Sequence, residues 1–143
     1  MFERALVVLL CGIVLVACGA PPPDLSVPEP PGAMPYASGR NPNVDQLLAT
    51  FDRGVQDALT GQGFTIQQRQ DFSTTASVAT IERFYADELV RRGWEPVPSG
   101  FSNRSTQALL AYQKSNVLLV IAAIDSAPYA GQGAVIYTLQ ATK

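Results

Sequence analysis

The sequence predicts an α+β domain in which two helices pack on one face of a mainly antiparallel sheet of four to five strands. Two stretches carry apolar residues at helical spacing, and several later ones carry the apolar runs and alternation of strands. Their order is helix, strand, helix, then a run of strands, which belongs to α+β architecture and not to repeated βαβ units. The 143 residues hold one small domain once an apolar N-terminal run and a proline-rich stretch are set aside.

Val44, Leu47, Leu48, Phe51, Val55 and Leu59 recur on one helical stripe, so a helix is expected over 44–60. Asn43 is the expected N-cap, with Gln46 placed to return the bond, and Gly61 ends the helix. Residues 64–72 read as a polar edge strand. Gly61-Gln62-Gly63 follows a helix and precedes a strand, the reverse of a phosphate-binding loop. A second helix is expected over 77–92, burying Val78, Ile81, Phe84, Tyr85 and Leu89 and stopping at Gly93. Trp94 is expected beneath it, and 100–106 reads as loop. Strands follow at 107–114 and 117–125 across a two-residue turn, Ser115-Asn116; a loop with Pro128, Gly131 and Gly133 then leads to a last strand, 134–141.

The run 117–124 is apolar on both alternating faces and is expected at the centre of the sheet. A two-residue turn pairs Tyr112 with Leu119 and Leu110 with Ile121 on one face, and Ala111 with Val120 and Gln113 with Leu118 on the other. The first set is bulkier and is assigned to the helices, with Val135, Tyr137 and Leu139 joining it. Leu109, Leu118, Val120 and Ile124 then form a second face too apolar to stand bare, to be covered by the proline-rich stretch, a second copy or a partner. Leu118, Val120 and Ile124, with the loop aromatics Phe101 and Tyr129, are the candidate contact residues.

Catalytic chemistry finds few of its usual groups. The chain has no histidine, and both cysteines, Cys11 and Cys18, fall in the first eighteen residues. Triads and zinc sites ordinarily draw on those side chains, so no metal or cofactor is expected. Asp87 with Arg91 and Glu88 with Arg92 are favourable i,i+4 pairs, and Glu88 falls inside the buried stripe. Lys114 beside Ser115 sits at a turn where neighbouring side chains point apart, and Asn103-Arg104-Ser105 reads as a plain polar loop. The net charge of −2, without a basic stripe, offers nothing to nucleic acid.

Residues 5–17 are an apolar run shorter than the roughly 20 residues of a membrane-spanning helix. The run ends in Leu15-Val16-Ala17-Cys18, which resembles the lipobox of bacterial lipoproteins. That resemblance implies a signal peptide at 1–17 and diacylglyceryl attachment to the Cys18 thiol. The acylated Cys18 then anchors the mature chain in lipid on the extracytoplasmic side of the cell membrane or outer membrane. Eight prolines between 21 and 42 make 18–42 an extended tether, leaving 43–143 as the domain. Phe84-Tyr85, Leu89 and Gly93-Trp94 also resemble a pattern in small exported bacterial domains of unknown function, which implies no activity. The expected function is a non-catalytic binding or scaffolding module of the envelope. The alternatives are an assembly subunit, pairing with an envelope protein or itself through the second sheet face, and an enzyme.

Overall fold

The computed structural model describes residues 22–99 and 103–143; Cys18, the lipobox and Phe101 lie outside them. Among the described residues are two helices, α1 (Pro42–Gly61) and α2 (Val78–Arg91). The strands are β1 (Met34–Pro35), β2 (Thr65–Thr74), β3 (Glu95–Val97), β4 (Gln107–Lys114), β5 (Val117–Asp125) and β6 (Ala134–Thr142). They form one antiparallel sheet of six strands in the order β1-β2-β6-β5-β4-β3, against the four to five expected, the additions being the short edge strands β1 and β3. Residues 127–129 make one 3-10 turn between β5 and β6.

The local readings hold where local chemistry sets them. Strands β4 and β5 occupy the expected spans, and their register pairs Tyr112 with Leu119 and Ala111 with Val120. Ser115 adopts the left-handed conformation that the turn requires, at φ 54°. Ser77 caps α2, and Gly93 ends it at φ 79°. Helix α1 starts two residues earlier than expected: Asn41, not Asn43, is its N-cap, and Pro42 takes the first helical position, where a missing N–H costs nothing.

The placement of the helices differs from expectation. Helix α2 packs with Leu119, Ile121, Ala123 and Ile136, whereas α1 packs with Val120, Ala122, Ile124, Val135, Tyr137 and Leu139 on the other face. The two helices therefore do not share a face. The phase of β6 differs from expectation as well. Val135 pairs with Ile124, Tyr137 with Ala122 and Leu139 with Val120, so these three side chains project with Val120 and not with Leu119. A central strand apolar on both sides needs cover on both sides, and one amphipathic helix on each supplies it.

The proline-rich stretch also departs from the expected free tether. Pro28 and Pro30 are buried, and Leu25, Val27 and Ala33 pack into the α2-side cluster with Phe72 and Ile136. The stretch thus lies as a strap beside α2, over columns of the sheet that α2 does not cover. Gln140 Nε2 donates to the Leu25 carbonyl at 2.7 Å, Thr74 Oγ1 to the Pro31 carbonyl at 2.9 Å, and Lys114 Nζ to the Asp24 carbonyl at 2.9 Å. Proline suits such a strap because it has no N–H to leave unsatisfied against an apolar face.

Candidate functional site

Helix α1 lies along one face of the sheet with a hollow on each flank. On one flank Asp45, Ala49, Asp52 and Gln56, at helical spacing, meet Arg69 of β2 around a polar cleft of about 480 Å³. Asp52 is its hub. Its Oδ1 accepts from Tyr137 Oη and from Gln56 Nε2, both at 2.8 Å, and its Oδ2 accepts from Arg69 Nη1 at 2.7 Å. Arg69 also forks onto Asp71, through Nε at 3.2 Å and Nη2 at 2.7 Å, and lies 5.1 Å from the centre of the Tyr137 ring.

Alternation along β2 puts Arg69 and Asp71 on the α1 side, and β6 brings Tyr137 beside them: Arg69 pairs with Leu139 and Asp71 with Tyr137. Burial, and then the bond to Asp52, pushes the Tyr137 phenol well above the ordinary tyrosine range. Its fork to Asp71 holds the Arg69 guanidinium charged. Nearer the start of α1, Asp45 accepts from Tyr36 Oη and from the Gly39 backbone, both at 2.8 Å. Burial and that bond push Tyr36 up to about 12. Asp52 and Asp71 converge, but on a guanidinium that neutralises one of them, and both spend their oxygens within the domain. Asp57 also lines the cleft, so a cationic or donor group entering it would meet that carboxylate.

On the other flank, α1 stops short of β4 and β3. Val55, Ala58 and Leu109 are shared by two adjoining hollows of about 300 and 190 Å³, the second extending to Val97, Ala111 and Leu118. The first hollow is almost wholly apolar, and the second is mainly apolar with Gln62 and Ser99 on its wall. The outer strands beside it and across the sheet are short, and each carries proline: Pro96 in β3 and Pro35 in β1. Proline removes ladder donors, so β1 and β3 are themselves poor templates for an added strand, while β1 pairs with β2 only at Phe72 and Ser73.

Comparison with protein-family models, curated proteins and solved structures returns no match.

The candidate contact residues scatter. Val120 and Ile124 are 6% and 0% exposed beneath α1, so they are core and not an open partner face. Leu118 is half-buried and borders the apolar groove. Tyr129 packs against the α1-side cluster, and its carbonyl accepts from Asn41 Nδ2 at 2.7 Å, which ties the β5–β6 connection to the start of α1. Phe101 lies outside the described residues.

Other singled-out groups have structural partners. Glu88 reaches Arg92 at 3.8 Å and also pairs with Arg91, which leaves Asp87 without its expected partner. Lys114 Nζ donates to the carbonyls of Asp24 and Arg92 and makes no dyad with Ser115. Asn103 bonds Glu82 and the Leu109 backbone. Trp94 is buried under α2 as expected, and among the described residues its Nε1 and the Tyr85 hydroxyl find no hydrogen-bond partner. No group of three or more His, Cys, Asp or Glu among the described residues is arranged for a metal ion.

Sequence reading missed the polar cleft. Arg69 and Asp71 sit in a stretch whose polarity reads as solvent exposure, and Asp52 lies next to Phe51 of the buried stripe. One signal was available: Asp45, Asp52 and Gln56 fall on a single helical flank.

Proposed function

We propose that this protein is a lipid-anchored, extracytoplasmic binding module with α1 as its contact element and no catalytic role. The carrying observation is the apolar groove between α1 and β4, walled by Val55, Ala58, Leu109 and Leu118. A protein surface that keeps a concave apolar strip, flanked by a separate polar cleft, has the composition of a recognition site. The acidic cleft, with Asp45, Asp52 and Asp57 against Arg53 and Arg69 on its lining, favours a partner that brings cationic or donor groups beside its apolar ones. Proline in β1 and β3 argues against strand addition to those two strands, and the flanks of α1 offer recognition through side chains. Assembly through a bare sheet face loses its basis, because α1 lies on that face. The non-catalytic reading is supported by Asp52 and Asp71 being committed to Arg69. The anchor rests on the lipobox resemblance at Cys18.

Two experiments test the reading. A photo-reactive phenylalanine in place of Ala58 should cross-link a discrete partner in intact cells, while the same group in place of Ala86, on the exposed side of α2, should not. Equal adducts at both positions, or none at position 58, would overturn the α1 assignment. Cys18→Ala should abolish fatty-acid labelling and membrane retention; normal labelling of that variant would remove the anchor.

A further inference from the structure

We infer that the proline-rich strap fixes the domain end-on against the lipid surface, with the Ser115-Asn116 turn and the C-terminal ends of both helices facing the bilayer. This rests on the anchor proposed at Cys18, and adds to it an orientation and a contact surface.

The starting observation is where the strap begins. Asp24 is held at one end of the sheet: its carbonyl accepts from Lys114 Nζ at 2.9 Å, and its carboxylate lies 3.9 Å from Arg92. Arg92 Nη1 also donates to Ser26 Oγ at 3.1 Å, and the Leu25 carbonyl is taken by Gln140. Those contacts sit beside the last turn of α2 and the β4–β5 turn. The antiparallel registers bring the C-terminus of α1, the start of β2 and the end of β6 to the same end, since Thr142 pairs with both Thr65 and Val117.

Chain length then limits what the anchor allows. Six residue steps separate Cys18 from Asp24. Fully extended they reach about 20 Å. The opposite end, where Tyr129 and the β5–β6 connection lie, is a further nine-residue strand away, roughly 30 Å. Even a stretched linker therefore cannot bring that end to the lipid without lifting the strap off its hydrogen bonds. The near end carries Arg91, paired with Glu88, the exposed Val90 and Lys143, and also the exposed acids Asp24, Asp87 and Glu95. The strap is thus an orienting device: it consumes the length that would otherwise make a loose tether, and it keeps the β5–β6 end, where α1 begins, away from the membrane.

The test uses residues 18–143 coupled through Cys18, the sole cysteine of that chain, to a maleimide lipid in nanodiscs. The discs hold phosphatidylcholine and phosphatidylglycerol doped with a gadolinium-chelating lipid. Amide signals of Gly63, Gly93, Asn116 and Lys143 should lose most of their intensity, while those of Ala108, Gly131 and Gln132 keep theirs. Uniform attenuation, or the reverse gradient, would overturn the orientation. A fifteen-residue Gly-Ser insertion between Pro23 and Asp24 should flatten the gradient; a gradient that survives it would show that the strap does not set the geometry. Because the coupling is chemical, these outcomes are separate from whether cells acylate Cys18, which fatty-acid labelling of the Cys18→Ala variant reports.

Discussion

Asp52 carries three hydrogen bonds in the polar cleft, and each partner loses something different without it. Tyr137 is fully buried, so removing its acceptor leaves a phenol unsatisfied, and Arg69 keeps only Asp71. Asp52→Ala should therefore destabilise the domain by about 2–3 kcal/mol, against about 1 kcal/mol for Tyr137→Phe, which leaves Asp52 with Gln56 and Arg69. Urea denaturation of the two variants checks the order, and equal losses would mean that the cleft does not hold Tyr137. Tyrosine ionisation offers a second check at this scale. Burial raises Tyr85 and Tyr137, and burial with the Asp45 bond raises Tyr36 to about 12, all above an unfolded value near 10. The folded state then holds protons that the unfolded state releases. The stability these groups contribute is complete below about pH 10 and falls as pH rises above it. Denaturation midpoints should be flat on that account from pH 8 to 10 and drop by pH 11, with tyrosinate absorbance from the buried phenols appearing only as the domain unfolds.

Elements here are joined by a few positions that admit little change. Gly133, at φ 68°, precedes β6, and a Cβ built on it would stand 2.0 Å from the Thr74 carbonyl oxygen. Gly133→Ala combines backbone strain with a backbone clash and should cost more than about 2 kcal/mol, seen as a lowered thermal midpoint. The packing of α1 on β5 gives a sharper test. Val120 is buried beneath α1, so Val120→Lys places a charge in the core, and the variant should unfold or lose several kcal/mol. A stable, folded Val120→Lys domain would mean that this face is solvated after all. The two-residue turn made the β4–β5 pairing legible, because a tight turn fixes the parity of both strands. The connection from β5 to β6 is eight residues long and fixes none, so Val135, Tyr137 and Leu139 project with Val120 and not, as expected, with Leu119; that both helices share the bulkier face is a separate expectation, and it fails on α1 alone.

At the scale of the molecule, the sheet is covered on both faces by unlike means: α1 on one, α2 with the strap on the other. The strap is a structural part of the domain, as the burial of Pro28 and Pro30 and the packing of Leu25 and Val27 show. A chain beginning at Met34 should lose at least about 3 kcal/mol relative to one beginning at Cys18, because it uncovers apolar surface of Phe72 and Ile136 as well as losing its own. Mild proteolysis of the longer chain should stop near Asp24 and not near Asn43. Equal thermal midpoints for the two chains would return the segment to the status of a free spacer.

The order of the elements, most of their ends, the β4–β5 register and the absence of histidine or of a thiol beyond Cys18 are all legible along the chain. These are local properties, written in periodicity, caps and turn residues within a few positions of one another. Which face each helix covers, where the prolines lie, and the meeting of Asp52, Arg69, Asp71 and Tyr137 emerge from the folded arrangement alone. The last three residues come together through pairing between strands over sixty residues apart in the chain, and Asp52 reaches them from a helix whose side of the sheet no short-range signal encodes. Apolar patterning says that a surface must be covered; it does not say by which segment, because a helix and a proline-rich strap bury the same kind of area.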